Sequence, residues 1–256
     1  MKKRLLSVLL AFTLCLGLAA CGKMPPPNTE LTVFAAASLT ETLNQVAALY
    51  KTAAPDITLT FNFDSSGTLQ TQLEEGADCD VFLSAAEKQM DALDGEGLLL
   101  AGSRVDLLQN ELVLVAPKGN PANIRTFEDA ARADSVALGN SDVPAGQYAR
   151  EIFTNLGLWT EDFLSRVTLA SNVKEVVSWV SEGAVDCGVV YKTDAKAAGL
   201  EIAASAPEGS LDTPVLYPAA VLANSANPGA ALAFLAFLRS DEATAIFENA
   251  GFAIPQ

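Results

Sequence analysis

The chain has 256 residues, and its 31 acidic side chains outnumber its 16 basic ones, which gives a formal net charge of −15. A surface this acidic makes nucleic acid and anionic membranes poor partners. The chain also has no histidine, which excludes a Ser-His-Asp triad, a Cys-His pair and a histidine zinc site.

The first residues are typical of a bacterial lipoprotein signal. Basic residues at positions 2–4 precede an apolar run over 5–18 that is too short to span a membrane. The run ends in small residues before Cys21, so residues 1–20 are predicted to be a signal peptide, cleaved to leave lipid on the Cys21 thiol. An ordinary signal peptide with an incidental Cys21 is the alternative. Prolines within 21–29 predict an extended tether to the lipid anchor.

Loss of the signal makes the chain more acidic. The signal removes three of the 16 basic side chains and no acidic ones, so 13 basic side chains face 31 acidic ones and the formal charge becomes −18. Any bound anion must then be held by local dipoles against an unfavourable overall field. Only Cys79 and Cys187 remain in the folded part, and we expect no disulfide because they fall in different predicted lobes.

Strand and helix patterns alternate along the chain, which predicts an α/β fold of mostly parallel sheets flanked by helices. A first block has strand, helix, strand, helix and strand patterns at 31–35, 39–51, 57–63, 68–75 and 80–84. A second block repeats this order at 135–139, 145–156, 167–170, 172–182 and 188–191. Before the last strand of each block the chain has the same Glu-Gly-Ala string, starting at Glu75 and Glu182. This echo agrees with two similarly built lobes.

Two longer apolar strands, 111–116 and 214–222, are predicted to cross between the lobes as a two-strand hinge. Helices over 229–238 and 243–249 are predicted to return to the first lobe. The resulting division gives residues 30–112 and 222–256 to lobe 1 and residues 113–221 to lobe 2. Two hinged lobes enclose a cleft, and a ligand is expected beyond the carboxyl ends of the parallel strands.

Four strand-to-helix junctions could hold an anion in this cleft, because each offers free backbone N–H groups and the positive end of a helix dipole. At the first, Ser38 is predicted to cap a helix, with Glu41 completing a capping box. The others lie at 63–68, 142–146 and 171–174. Any one junction alone is ordinary helix capping, so the prediction depends on their convergence.

Motifs at these positions closely resemble those of the periplasmic molybdate-binding proteins that supply ABC transporters. The motifs are Val33-Phe-Ala-Ala-Ala-Ser-Leu-Thr40, Phe63-Asp-Ser-Ser-Gly-Thr-Leu69, Gly76-Ala-Asp-Cys-Asp-Val-Phe-Leu-Ser-Ala85, Val143-Pro-Ala-Gly-Gln-Tyr-Ala149 and Gly188-Val-Val-Tyr191. The resemblance runs in register over 31–256. It implies a two-lobe type II periplasmic-binding-protein fold without enzymatic activity or cofactor. It also implies a monomer that passes molybdate or tungstate to a membrane permease.

The resemblance further implies how molybdenum, as molybdate, is held. Ser38 and Ser66 would give hydroxyl and backbone donors, Ala145 and Val173 backbone N–H groups, and Tyr191 its phenolic hydrogen. Asp64 stands where many of these proteins have a small residue, and strand alternation predicts that it points away from the ion. If Asp64 turned inward, hydrogen phosphate would be the better candidate.

Three other functions stay open at the level of sequence. A sulfate or phosphate receptor would use similar donors, and only cavity size would exclude sulfate. Ser171 and Lys174 fit the Ser-x-x-Lys pattern of penicillin-recognising enzymes, although the companion Ser-Asp-Asn and Lys-Thr-Gly strings are absent. A structural surface protein would leave the four junctions no role beyond capping.

Overall fold

The computed structural model describes residues 28–255, so the predicted signal peptide, Cys21 and most of the tether lie outside the described residues. The first lobe begins with β1 (Thr29–Ala36), a 3₁₀ turn (Ala37–Leu39), α1 (Thr40–Ala53), β2 (Ile57–Asp64), α2 (Ser66–Glu74), β3 (Val81–Leu83), α3 (Glu87–Gly95) and β4 (Val105–Asn110). The second lobe contains β5 (Leu112–Ala116), α4 (Phe127–Ala130), β6 (Val136–Gly139), α5 (Pro144–Asn155), α6 (Glu161–Leu164), β7 (Val167–Ala170), α7 (Val173–Ser181), β8 (Cys187–Tyr191), α8 (Lys192–Ala198) and β9 (Glu201–Ser205). The chain then returns to the first lobe with β10 (Val215–Val221), α9 (Pro228–Phe237) and α10 (Asp241–Ala250).

The two lobes have sheets of the same topology. The strand orders are β2-β1-β3-β10-β4 in the first and β7-β6-β8-β5-β9 in the second. In each sheet the first three strands are parallel, and the fourth is antiparallel to both neighbours. The predicted two-lobe α/β fold is confirmed, and the echo at Glu75 and Glu182 precedes the equivalent strands β3 and β8.

The predicted boundary between the lobes is wrong on one side. Strand β10 lies between β3 and β4 in the first sheet, so residues 215–221 belong to lobe 1 and not to lobe 2. A short apolar run fits either sheet equally well, and only its pairing, for example Ala219 with Leu83, decides between them. The chain passes between the lobes at Glu111 and again over 206–214.

Burial follows the helical spacing in α7 and includes the two cysteines of the lobes. The buried positions of α7 are Val173, Val176 and Val180, which is the spacing of one helical face. Cys79 and Cys187 are buried free thiols, one in each lobe. Among the helices described, none has the length and apolar character needed to cross a membrane.

Candidate ligand-binding site

A small cavity lies between the lobes, where parallel strands β1, β2 and β8 end. Four of the predicted contacts line it: Ser38 and Ser66 from lobe 1, and Val173 and Tyr191 from lobe 2. The cavity volume is about 10 Å³, close to the smallest that holds one water molecule. The structure therefore shows the lobes closed, with hydroxyls and helix starts from both of them around one point.

Ala145 is the one predicted contact that does not line the cavity; Pro144, its neighbour, does. Ala145 is fully buried at the second position of α5, where a backbone N–H has no partner inside the helix. The start of α5 approaches β6 so closely that a Cβ on Gly146 would lie 2.1 Å from the Gly139 carbonyl oxygen. Glycine is therefore needed at 146 to seat this helix start beside the cleft.

Ser66 and Tyr191 meet from opposite lobes at the backbone of Ala85. The Ser66 hydroxyl accepts from the Ala85 N–H at 2.9 Å, which leaves its own hydrogen available to a ligand. The Tyr191 hydroxyl donates to the Ala85 carbonyl oxygen at 3.3 Å. Tyr191 must therefore exchange this carbonyl for the ion in order to contribute its predicted hydrogen bond.

The predicted capping role of Ser38 is wrong. Ser38 lies inside the 3₁₀ turn, Leu39 is the residue before α1, and no side chain caps that helix. The Ser38 hydroxyl instead lies 3.1 Å from the Tyr217 hydroxyl, which also accepts from the Asn110 side-chain amide at 3.3 Å. When Tyr217 accepts from Asn110 and donates to Ser38, the Ser38 hydrogen remains free for the cavity.

Val173 opens α7 next to the cavity. Asn172 caps this helix by accepting from the Glu175 N–H at 3.1 Å. The Val173 N–H, at the first helical position, has no intrahelical acceptor. It therefore has the chemistry required of the predicted donor, although contact with an ion stays a prediction.

Both buried tyrosines remain hydrogen-bond donors at neutral pH. Burial raises the pKa of Tyr191 well above its ordinary value, and nearby Tyr217 and Asp194 add to the shift. Burial likewise raises the pKa of Tyr217, although its hydrogen bonds with Ser38 and Asn110 oppose the shift. Each phenol therefore keeps its proton, as a pocket that binds an acceptor-only ion requires.

Asp64 is half-buried and is one of the residues that line the cavity. The strand ends here, and the Asp64 carboxylate turns to accept from the next N–H, that of Ser65, at 2.7 Å. Strand alternation no longer applies at a residue that leads into a helix cap. One carboxylate oxygen is thus engaged by the backbone, but the cavity wall is not made of donors alone.

Comparisons with known proteins agree with this geometry. The family described as bacterial extracellular solute-binding protein matches residues 31–253. The chain belongs to this family. Its place of action is therefore outside the cytoplasm, and its role is binding rather than catalysis, as predicted.

Three similar proteins have informative names. The molybdate-binding protein ModA of Escherichia coli K12 is 35% identical, over 93% of this chain and 95% of ModA. YvgL of Bacillus subtilis 168, provisionally named an ABC transporter substrate-binding lipoprotein, is 35% identical over 88% of this chain and 86% of YvgL. The solved periplasmic molybdate-binding protein of Azotobacter vinelandii has a TM-score of 0.79 and 26% identity, covering 88% of this chain and 100% of that protein.

Sequence reasoning missed several residues of this solute-binding protein's site. Ala85 acts through its backbone N–H and carbonyl groups, so its side chain carries no signal, although it ends the motif that begins at Gly76. Tyr217 lies 179 residues from Ser38 in an apolar strand that gives no sign of a polar role. Asn110 ends β4, a strand that was not predicted.

The Ser-x-x-Lys arrangement of an acylating enzyme is not formed. The Ser171 hydroxyl donates to the Glu175 carboxylate at 3.0 Å. Lys174 instead pairs with Glu41 and Asp194. Lys174 is therefore engaged elsewhere and is not placed as a base for Ser171. Across residues 28–255, no group of three or more Cys, Asp or Glu side chains is placed to hold a metal ion.

Proposed function

We propose that this solute-binding protein captures molybdate between its lobes, binds tungstate in the same way, and delivers either ion to the permease of an ABC transporter. The observation that carries the proposal is the convergence of Ser38, Ser66, Val173 and Tyr191 from both lobes on one cavity. The relatives named as molybdate-binding proteins support the choice of ion.

The chemistry of the cavity suits a tetrahedral dianion. Molybdate at neutral pH is fully deprotonated and can only accept hydrogen bonds, so hydroxyl and backbone N–H donors match it. One exposed helix start contributes only ~0.3–1 kcal/mol towards holding an anion. Several that converge in a low-dielectric cleft act with the same sign and more strongly. They can thus hold the ion against the formal charge of −18 that the 13 basic and 31 acidic side chains give the mature chain.

Ion binding would favour the closed lobes. Donors from lobes 1 and 2 surround one point only when the lobes are together, so the ion binds the closed form more tightly and shifts the equilibrium towards it. The 3.3 Å bond from Tyr191 to Ala85 is long for a hydroxyl donor. Its exchange for a shorter bond to an anionic oxygen is favourable. The permease would then recognise the closed, loaded lobes of a monomeric receptor.

A second candidate ligand is hydrogen phosphate, and the observation that favours it is the place of Asp64 in the cavity wall. A carboxylate can accept the proton that this ion carries, whereas a wall of donors alone would leave that proton unpaired at a cost of about 1–3 kcal/mol. The bond from Ser65 N–H already engages one Asp64 oxygen, which supports molybdate as the first candidate.

The test is a calorimetric titration of the mature chain with molybdate, tungstate, sulfate and phosphate. We expect tight binding of the first two ions and phosphate binding weaker by about tenfold or more. The Asp64→Asn variant should keep its molybdate affinity within a few-fold. Phosphate affinity equal to that for molybdate would reject the proposal. If the Asp64→Asn variant then lost its phosphate affinity, hydrogen phosphate would be established as the ligand.

We also propose that lipid on Cys21 anchors the receptor to the outer face of the bacterial membrane. Small residues before Cys21 support the anchor, as does the lipoprotein in the name of YvgL. The mass of the N-terminal peptide of protein isolated from membranes tests it. An unmodified Cys21 there would reject the anchor and leave the binding proposal intact.

A further inference from the structure

The ammonium group of Lys174 joins the two lobes beside the cavity. Its Nζ lies 2.6 Å from Glu41 Oε2 and 2.8 Å from Asp194 Oδ1. Lys174 is the second residue of α7 in lobe 2, Glu41 lies in the first turn of α1 in lobe 1, and Asp194 lies in the first turn of α8 in lobe 2.

Each of these three helices starts next to a predicted ligand contact. Helix α1 follows the turn that contains Ser38, α7 opens with Val173, and α8 follows Tyr191 directly. A single ammonium therefore ties together the three segments that carry three of the proposed donors. Lys174 itself is not among the residues that line the cavity.

The two carboxylates hold Lys174 in different ways. The Asp194 side chain is fully buried, and burial raises the pKa of Asp194 to about 6 even though Lys174 opposes the shift. Its 2.8 Å contact with Lys174 is short but is not aligned as a hydrogen bond. Separation of a buried ion pair leaves a charge unpaired at high cost. The contact between Lys174 and Asp194, both in lobe 2, is therefore expected to persist when the lobes open.

The contact between Lys174 and Glu41, by contrast, depends on the position of the lobes. The Glu41 side chain is 52% exposed and can return to water when lobe 1 moves away. Burial works to lower the pKa of Lys174, but Asp194 and Glu41 together raise it. The ammonium is therefore charged whenever the lobes meet.

We infer that Lys174 is a positioning residue that couples lobe closure to ion capture: Asp194 fixes its ammonium in lobe 2, and Glu41 receives it only in the closed form. This inference rests on the proposed capture of an ion in the cleft. The Lys174–Glu41 ion pair stabilises the closed form and slows dissociation of the ion, because the lobes must open before the ion leaves. The ion pair has little effect on the association rate, because the ion enters the open form.

The test compares Glu41→Gln with a matched control, Asp162→Asn. Glu41→Gln removes the charge that contacts Lys174 across the lobes, whereas Asp162→Asn removes the same charge, also from the first turn of a helix, in a pair with Arg166 that lies within lobe 2. The dissociation rate of radiolabelled molybdate is measured after dilution into unlabelled ion. We expect Glu41→Gln to raise it about two- to fivefold, the effect of one exposed ion pair, and Asp162→Asn to leave it unchanged.

Two further readouts separate coupling from general stability. The melting temperature of ligand-free Glu41→Gln should equal that of the natural chain, while the shift caused by molybdate should be smaller. In a Lys174→Met background, Glu41→Gln should have no added effect on dissociation. Equal dissociation rates in Glu41→Gln and Asp162→Asn, or an equal loss of ligand-free stability, would overturn the inference. A natural chain that binds no molybdate would instead reject the proposed function.

Discussion

At the scale of single residues, the cavity depends on hydroxyl groups whose orientation is set by other groups of the protein. The backbone of Ala85 holds Ser66 from one lobe and Tyr191 from the other, and Tyr217 holds Ser38. Because groups of their own lobe hold the Ser38 and Ser66 hydroxyls before a ligand arrives, little orientation entropy of these two side chains is lost when the ion binds. Burial keeps both tyrosines protonated, so they can serve as donors throughout the neutral range.

Tyr191→Phe tests the donor assigned to Tyr191. The hydroxyl would donate to an anionic oxygen, and such bonds contribute about 1.5–3 kcal/mol. We therefore expect a loss of molybdate affinity of roughly ten- to hundredfold by calorimetry, with little change in ligand-free melting temperature. The control is Tyr148→Phe, a buried tyrosine of α5 that does not line the cavity. Natural affinity in Tyr191→Phe would exclude this contact.

At the scale of the elements, the starts of α2 and α5 meet across the cleft. The Gly67 N–H, at the second position of α2, donates to the Asp142 carbonyl oxygen just before α5 at 2.9 Å. A Cβ on Gly67 would lie 2.4 Å from that oxygen, which is closer than any van der Waals contact allows. The lobes can therefore approach this closely only because residue 67 is glycine.

Gly67→Ala should oppose closure without weakening the separate lobes. Overpacking of this kind costs about 1–3 kcal/mol, so we expect molybdate affinity to fall by roughly tenfold. Ligand-free melting temperature should stay the same or rise slightly, because alanine is the better helix former. Gly95→Ala, at the end of α3 with no atom near its added Cβ, is the control for both measurements. Unchanged affinity in Gly67→Ala would show that the ion binds without this contact.

At the scale of the whole molecule, the negative net charge of the protein opposes the binding of an anion at the site. The acidic excess of 31 side chains over 16 repels an approaching dianion, whereas the donors act only at contact. Repulsion between separated charges is screened by salt, with a Debye length of roughly 30 Å at 0.01 M and 10 Å at 0.1 M. Salt should therefore affect the approach of the ion more than its retention.

The association rate of molybdate should thus rise with ionic strength. Between about 10 mM and about 150 mM sodium chloride we expect an increase of about twofold or more, measured by rapid filtration of labelled ion. Dissociation from the natural chain should change less over the same range. An association rate that falls as salt increases would indicate a positive field at the cleft mouth.

The sequence predicted the elements with strong local patterns and missed those without them. Helix α1 and strands β1 and β2 were predicted within one or two residues of their observed bounds, because apolar spacing marks them. Strands β4 and β9 were missed: β4 carries Asp106 and Gln109 among its apolar residues, and every residue of the edge strand β9 is at least partly exposed. The same limit applied to the site, where serines and prolines at strand ends were visible and the backbone of Ala85 was not.

The sequence by itself determined the alternation of strands and helices in the two blocks, the supply of uncharged donors at helix starts, and the exclusion of histidine chemistry. These properties depend on residue types and on neighbours a few positions apart. Only the tertiary structure decided that β10 joins the first sheet, that Asp64 is among the residues that line the cavity, and that Lys174 meets Glu41 across the cleft. Each of these depends on atoms that are distant in the chain, or on the direction in which a strand ends, and folding alone brings them together.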